Sequence, residues 1–181
     1  MTHKLSILLV EDEKNICDFI STSLSAQDYR ISTAHTGKEA LPIITSQCPD
    51  LILLDLGLPD MDGMEIIRRY PEVTGVFHCY SGSLEMAREL VSLGWYVGFT
   101  GVLTFKNARK ALEVAENVPL YRLLLETDCP YMAPEPFRGR RCDSGMLHRT
   151  AEKLAELRGV SPEEIARITW ENASRLFRIK L

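Results

Sequence analysis

Residues 51–60 read LILLDLGLPD, and this stretch decides the fold. Residues 51–54 are apolar, which predicts a strand buried on both faces, as in the parallel sheets of α/β proteins. Asp55 directly follows this strand, at the edge of a parallel sheet where functional side chains gather. The Leu58-Pro59 turn then leads into a short predicted helix over residues 63–70.

The same alternation of apolar strands and amphipathic helices extends over the whole chain, and it predicts parallel βαβ units. Further predicted strands cover residues 7–10, 29–34, 76–79, 96–99 and 123–126. Further predicted helices cover residues 38–46, 106–116, 146–158 and 162–177, and two more follow Glu13 and Ser83. Proline and glycine predict a long loop over residues 129–144. Because the join near residue 70 contains no linker, one composite domain over residues 1–181 is expected, built from parts 1–70 and 71–181.

Composition excludes several classes of protein. A net charge of −4 argues against the basic face that nucleic-acid binding requires, so no nucleic-acid partner is expected. The five cysteines contain no CxxC pair, which favours reduced thiols in the cytoplasm. No apolar run approaches the ~20 residues of a membrane span, so no membrane association is expected either. The chain is expected to be soluble, as a monomer or a homodimer.

Three carboxylates are predicted to meet at one sheet edge. Glu11 and Asp12 follow the first strand, and Asp55 follows the third. These strands are neighbours in a doubly wound sheet, so the side chains are expected within a few ångströms of one another. Such a cluster needs a cation or a proton, and hard oxygen ligands favour Mg²⁺.

Residues 4–70 resemble the receiver domain of bacterial response regulators, particularly its KdpE-like branch. The resemblance rests on the acidic pair, on the aspartate after an apolar strand, on the Leu-Pro turn and on Asp62-Gly63. It implies that Asp55 is the phosphoacceptor and that Glu11, Asp12 and the backbone carbonyl of Gly57 hold Mg²⁺.

The chain departs from the receiver pattern after the third strand. A receiver places a Ser or Thr after its fourth strand and a Lys after its fifth. Here Ser81 and Thr100 are the candidates for the hydroxyl, and Lys106 lies too far along the chain for the lysine. Three interpretations of the acidic cluster therefore remain open: carboxylates without a function, weak Mg²⁺ binding, and phosphorylation of Asp55.

Residues 73–181 resemble the C-terminal part of TatD-like metal-dependent hydrolases, which are (βα)₈ barrels that act as nucleases. The matching segments are GVFHCYSGS (75–83), GFTGVLTFKNA (98–108), LLETDCPYMAP (124–134), RGRR (138–141) and ENASRLF (171–177). The resemblance implies that His78 is a metal ligand, that Asp128 ligates the metal or orients the attacking water, and that Glu126 is a further acidic position. The family takes its remaining ligands from earlier strands that this sequence does not contain between residues 1 and 72, so His78 and Asp128 are vestigial ligands.

Together these resemblances predict an engineered chimera of a flavodoxin-like and a TIM-barrel fragment, built to test recombination of the two folds. The predicted fold is α/β, with a single mainly parallel six-stranded sheet in the order 2-1-3-4-5-6 and helices on both faces. The alternative is a curled, half-barrel-like sheet closed by dimerisation. No complete active site, no catalytic activity and no required cofactor are expected, with weak Mg²⁺ binding as the residual chemistry. The alternative functions are a Mg²⁺-dependent phosphoacceptor at Asp55 and a weak metal-dependent phosphoesterase or nuclease at Asp128 and Glu126.

Overall fold

A computed structural model describes residues 4–179 of the chain. The chain divides into two compact units, Met1–Pro71 and Glu72–Leu181. This boundary coincides with the point at which the sequence changes from one resemblance to the other. Whether the two parts make one composite domain stays a prediction, and each unit is described by itself.

The first unit alternates three strands with three helices. The strands are β1 (Ser6–Val10), β2 (Arg30–Ala34) and β3 (Leu51–Leu54), and the helices are α1 (Lys14–Ser25), α2 (Gly37–Gln47) and α3 (Gly63–Arg69). All strands are parallel in the order β2-β1-β3. The register pairs Val10 with both Ala34 and Leu54, so the three strands end at the same level.

Apolar side chains of the central strand form the core of this unit. Leu8 and Val10 are fully buried, and Ala40 and Ile44 of α2 pack into the same cluster. Helix α2 is preceded by its N-cap Thr36, whose hydroxyl accepts a hydrogen bond from the Glu39 backbone N–H. This N-cap fixes where the helix starts, because it satisfies one of the backbone donors that the first turn leaves free.

The second unit repeats the pattern over shorter strands. The strands are β4 (Val76–Phe77), β5 (Tyr96–Phe99) and β6 (Leu123–Leu125), and the helices are α4 (Leu84–Ser92), α5 (Arg109–Asn117), α6 (Leu147–Arg158) and α7 (Pro162–Leu176). Short 3₁₀ helices cover Gly101–Thr104, Leu120–Arg122 and Ser144–Met146. The strands are parallel in the order β4-β5-β6.

Polar contacts hold the last two helices onto this sheet. The Arg158 guanidinium at the end of α6 donates to the backbone carbonyls of Ala115, Glu116 and Val118, which lie at the end of α5. The Asn172 amide of α7 donates to the carbonyls of Leu120 and Leu123. Ser161 caps α7, with Pro162 at its first position, as the sequence predicts.

The predicted single six-stranded sheet is wrong. Among residues 4–179 the strands form two separate parallel three-stranded sheets, and β3 and β4 are not hydrogen-bonded neighbours. Strand β4 offers little backbone for such a pairing, because it has two residues and ends before Cys79, whose φ is +47°. The coarser prediction of a parallel α/β protein with a flavodoxin-like start is confirmed. The curled sheet closed by pairing of two copies stays a prediction.

Helix α5 begins at Arg109 and not at residue 106 as predicted. Residues 101–104 form a 3₁₀ helix after β5, and the backbone N–H of Ala108 donates to the Phe105 carbonyl in a turn before α5. This turn, over residues 105–108, occupies the segment in which the sequence predicted the start of α5.

Candidate functional site

The three carboxylates of the first unit come together as predicted. One carboxylate oxygen each from Glu11, Asp12 and Asp55 lies within 4.8 Å of the others. The strand register explains this arrangement: Val10 pairs with Leu54, so the residues that follow them leave the sheet side by side. The Asp55 backbone N–H donates to the Val10 carbonyl at 2.9 Å, which extends this pairing to Asp55 itself.

Backbone donors orient two of these carboxylates. Glu11 Oε1 accepts from the Glu13 N–H at 3.0 Å, and Asp55 Oδ1 accepts from the Gly57 N–H at 3.2 Å. These bonds engage one oxygen of each side chain. The predicted role of the Gly57 carbonyl as a metal ligand stays a prediction.

The chemistry of this edge is that of a hard cation site. Three carboxylates at this separation repel one another, and a divalent cation that is bound by oxygen removes the repulsion. Glu11 and Asp55 are half-buried and Asp12 is exposed, so a cation can reach the cluster from solvent. The donor set therefore fits Mg²⁺.

Sequence reasoning missed two contacts beside the cluster. His35 Nδ1 lies 2.9 Å from the Glu11 carbonyl oxygen. The Asp60 carboxylate accepts from the backbone N–H groups of Gly37 and Lys38 at 2.8 and 3.0 Å, at the start of α2. Desolvation is the largest single influence on the pKa of Asp60, and by itself it would raise that pKa. The N–H groups and the Lys38 charge together outweigh it, so the net pKa of Asp60 is lower than its usual value. In the sequence, the predicted helix start at Thr36-Gly37 was the only indication of such a contact, and it does not identify the acidic residue that accepts from the first turn.

At the strand ends of the second unit, a half-buried carboxylate lies against a glycine. Glu126 follows β6, and a Cβ at Gly98 would come within 2.6 Å of Glu126 Oε2, so a larger residue there would displace the Glu126 carboxylate. Glu126 Oε1 accepts a hydrogen bond from the Cys79 backbone N–H. Burial raises the pKa of Glu126 above its usual value; the Cys79 N–H and the His78 charge act in the opposite direction, and Asp128 adds to the rise.

The predicted ligands of the second unit do not gather into a three-ligand site. His78 is exposed and Asp128 is half-buried. Within the described part of the chain, the Glu11, Asp12 and Asp55 group is the one place where three His, Cys, Asp or Glu ligand atoms come within 4.8 Å of one another. The assignment of His78 and Asp128 as vestigial ligands stays a prediction.

The candidates for the missing receiver residues all lie outside the unit that holds Asp55. The buried Thr100 hydroxyl accepts a weak hydrogen bond from the Val102 N–H at 3.4 Å and caps the 3₁₀ helix after β5. Ser81 and Lys106 are exposed. Their roles toward a phosphoryl group stay untested.

The arginine loop after β6 stacks on aromatic rings. The Arg138 guanidinium lies 4.4 Å from the Phe105 ring centroid, and the Arg140 guanidinium lies 6.0 Å from that of Phe137. In such an arrangement the guanidinium charge is attracted to the electron-rich face of the ring. None of the helices in the described residues is both long enough and apolar enough to cross a membrane.

These observations define a parallel α/β protein that carries a receiver-like acidic edge in its first unit and a hydrolase-like acidic edge in its second. Residues 7–104 match the response regulator receiver domain family, and residues 60–178 match the TatD related DNase family. The chain therefore belongs to the TatD related DNases over residues 60–178 and to the receiver domains over residues 7–104. The composite character predicted from the sequence is confirmed.

Curated relatives match the second part of the chain. The metal-dependent hydrolase YabD of Bacillus subtilis is 51% identical over 107 residues, which are 59% of this chain and 42% of YabD. The metal-dependent hydrolase YcfH of Escherichia coli is 43% identical over 120 residues, or 65% of this chain and 45% of YcfH. The chain thus spans less than half the length of these relatives.

Among solved structures, the TatD homologue YjjV of Escherichia coli is similar to 96% of this chain, with a TM-score of 0.64 and 26% identity, over 62% of its own length. A TatD family hydrolase of Entamoeba histolytica has a TM-score of 0.58 and 15% identity over 94% of this chain and 83% of its own, which shows a likeness of fold alone.

Proposed function

We propose that this chain is an engineered chimera, in which the front of a receiver domain is joined to the back of a TatD-like hydrolase and neither parent's catalytic site is complete. The observation that carries the proposal is the division of the chain between the two families. Residues of the receiver family precede the TatD-like segment, at the positions from which that family takes its other metal ligands. Two partial domains that meet without a linker favour deliberate recombination over the fusion of whole domains.

The chemistry that remains under this proposal is weak binding of a divalent cation. Glu11, Asp12 and Asp55 supply three oxygen ligands from one strand edge within 4.8 Å of one another. Phosphorylation of Asp55 needs a hydroxyl and a lysine near the phosphoryl oxygens, and the unit that holds Asp55 ends before the strands that carry them in a receiver. No cofactor is required for folding, and neither a nucleic-acid partner nor an assembly beyond a homodimer is expected.

A second candidate function is weak metal-dependent phosphoesterase activity. The favouring observation is the pair of acids after β6, in which Glu126 lies over Gly98 and the nearby Asp128 adds to the rise in the pKa of Glu126. Burial raises the pKa of Glu126, which favours the protonated form that a general acid requires. A hydrolytic centre also needs enough ligands to fix its metal ion and activate a water.

Thermal melting with MgCl₂ tests the proposed cation site. A site with a dissociation constant of about 1 mM stabilises the folded chain by roughly 1.4 kcal/mol at about 10 mM Mg²⁺. We expect Asp12→Asn to remove this gain and Asp18→Asn, an exposed carboxylate of α1 outside the cluster, to retain it. Equal gains in both variants would contradict the site.

Two activity assays separate the remaining functions. Incubation with acetyl phosphate followed by intact mass measurement is expected to give no phosphorylated chain; a phosphate adduct that Asp55→Ala removes would favour the signalling function. Turnover of bis(p-nitrophenyl) phosphate with Mg²⁺, Mn²⁺ or Zn²⁺ is expected to stay at the buffer rate. Turnover that Asp128→Ala abolishes would favour the hydrolase instead.

A further inference from the structure

Two of the five cysteines lie beside the same surface cavity. Cys129 and Cys142 both line a cavity of about 590 Å³, together with Pro130, Arg141, Asp143 and Ser144. The Cys129 residue is exposed, whereas Cys142 is 3% exposed. Both are free thiols, as are Cys17, Cys48 and Cys79. The cavity thus has one accessible sulfur and one sheltered sulfur on its wall.

The backbone brings the two residues to adjacent positions. The Cys142 N–H donates to the Pro130 carbonyl at 2.9 Å, so residue 142 is hydrogen-bonded to the residue that follows Cys129 in the sequence. The loop between them returns on itself through turns in which Phe137 donates to the Pro134 carbonyl and Arg140 to the Phe137 carbonyl. A disulfide needs Cα atoms about 4.4–6.8 Å apart, and the hydrogen bond places the backbone of Cys142 beside the residue that follows Cys129.

The charge of Cys129 also acts on the Cys142 thiol. Burial raises the pKa of the Cys142 thiol, and the negative charge of Cys129 is the next largest contribution, ahead of Asp143 and Asp128. This ranking agrees with the shared cavity and the backbone hydrogen bond in placing the Cys129 side chain close to Cys142.

We propose that Cys129 and Cys142 are a modification site that reacts with low-molecular-weight disulfides and closes to an intramolecular disulfide. The Cys129 sulfur, which solvent reaches, attacks one sulfur of the reagent; a Cys129 mixed disulfide forms and the first small thiol leaves with the proton that Cys129 loses. The Cys142 sulfur then attacks Cys129, the Cys129–Cys142 bond forms, and the second small thiol leaves with the proton of Cys142. Both cysteines are oxidised, and the reagent disulfide is reduced to two thiols.

The disulfide would close the loop over residues 129–142, which carries the arginines stacked on Phe105 and Phe137. Oxidation would therefore tether the base of the arginine loop. The inference does not depend on either candidate function, because it needs no metal ion and no substrate.

Oxidised glutathione is the probe that tests the site. Reduced chain has five thiols, and we expect three after reaction, since 5 − 2 = 3. The intact mass should fall by about 2 Da, and peptide mapping should find residues 129 and 142 linked. Cys129→Ser should prevent the cross-link, whereas Cys48→Ser, which removes another exposed cysteine, should leave it unchanged.

The intermediate gives a second readout. Cys142→Ser should stop the reaction at the mixed disulfide, with a mass gain of about 305 Da on Cys129. Because Cys142 is buried and this variant risks misfolding, the exposed Cys129→Ser variant and the peptide map of the unaltered chain decide the outcome on their own. Retention of five thiols, a stable glutathione adduct on the unaltered chain, or a link between any other pair would overturn the proposal.

Discussion

Asn172 is expected to be a strong determinant of the stability of the second unit. Its side chain is 1% exposed, and its amide nitrogen donates to the carbonyl oxygens of Leu120 and Leu123, each at 2.8 Å. These carbonyls belong to the 3₁₀ helix before β6 and to the start of β6 itself. One amide thus joins α7 to the edge strand that carries Glu126 and Asp128.

Asn172→Ala should lower the free energy of unfolding by about 3 kcal/mol. Each lost hydrogen bond accounts for about 1 kcal/mol, and a buried carbonyl left without a partner, together with the space left by the amide, adds about 1 kcal/mol more. Asn172→Leu fills most of that space but restores no donor, so it should still cost about 2 kcal/mol. The matched control is Asn117→Ala, because the exposed Asn117 amide donates to a single carbonyl, that of Glu113.

Urea unfolding followed by tryptophan fluorescence measures this effect in the right unit, because Trp95 and Trp170 both lie within Glu72–Leu181. With a slope of about 2 kcal/mol per M, Asn172→Ala should lower the midpoint by roughly 1.5 M, and Asn117→Ala by less than about 0.5 M. Equal midpoints for these two variants would refute the reasoning, since the loss would then not depend on burial or on the paired carbonyls.

Three further predictions concern single charged side chains. Asp60→Ala should destabilise the chain at neutral pH. Because folding lowers the pKa of Asp60, its stabilising contribution is present above the unfolded value of 3.8 and is lost as the pH falls through the folded pKa. The melting temperatures of the variant and the unaltered chain should therefore converge at acid pH. Glu126→Gln should stabilise the chain at neutral pH. Because burial raises the pKa of Glu126, its stabilising contribution is complete below the unfolded value of 4.5 and is lost as the pH rises through the folded pKa. A higher melting temperature of the variant that persists at acid pH would contradict the raised pKa. Arg158→Met should lower the free energy of unfolding in urea by about 2 kcal/mol, because it leaves the carbonyls at the end of α5 without their charged donor. A decrease below about 0.5 kcal/mol would show that water replaces the guanidinium.

The elements that sequence predicted well are those whose signal is local. The strand over Leu51–Leu54 was predicted to the residue, because four apolar residues end at an aspartate. Helix α7 was predicted from Ser161 and Pro162, whose capping chemistry is confined to one turn. The meeting of Glu11, Asp12 and Asp55 followed from the same local information, because parallel strands that are neighbours end at one edge.

The features that sequence missed depend on pairing between distant segments. The division into two sheets depends on which strands are hydrogen-bonded to each other along their edges. Apolar periodicity predicts the strands but not which strands pair. Asp60 caps a helix that begins 23 residues earlier, and Glu126 rests against Gly98 and the Cys79 backbone. An acid in a loop has the same sequence signature whether it faces solvent, caps a helix or lies over a glycine.

The proposed chimera retains its fold more readily than its chemistry, for a reason that lies in the pairing of its strands. Each described strand pairs with strands that belong to its own unit, so the hydrogen bonds of each sheet stay within one unit. A catalytic site at the edge of a parallel sheet needs side chains from several strands, including the strands that recombination exchanges. In the proposed chimera, the acidic edge of the first unit survives because β1 and β3 come from one parent, whereas the strands that would carry the receiver hydroxyl and lysine come from the other. The proposal therefore predicts that fragments of parallel α/β folds can be exchanged as sets of hydrogen-bonded strands, and that a site persists only where all of its strands come from one parent.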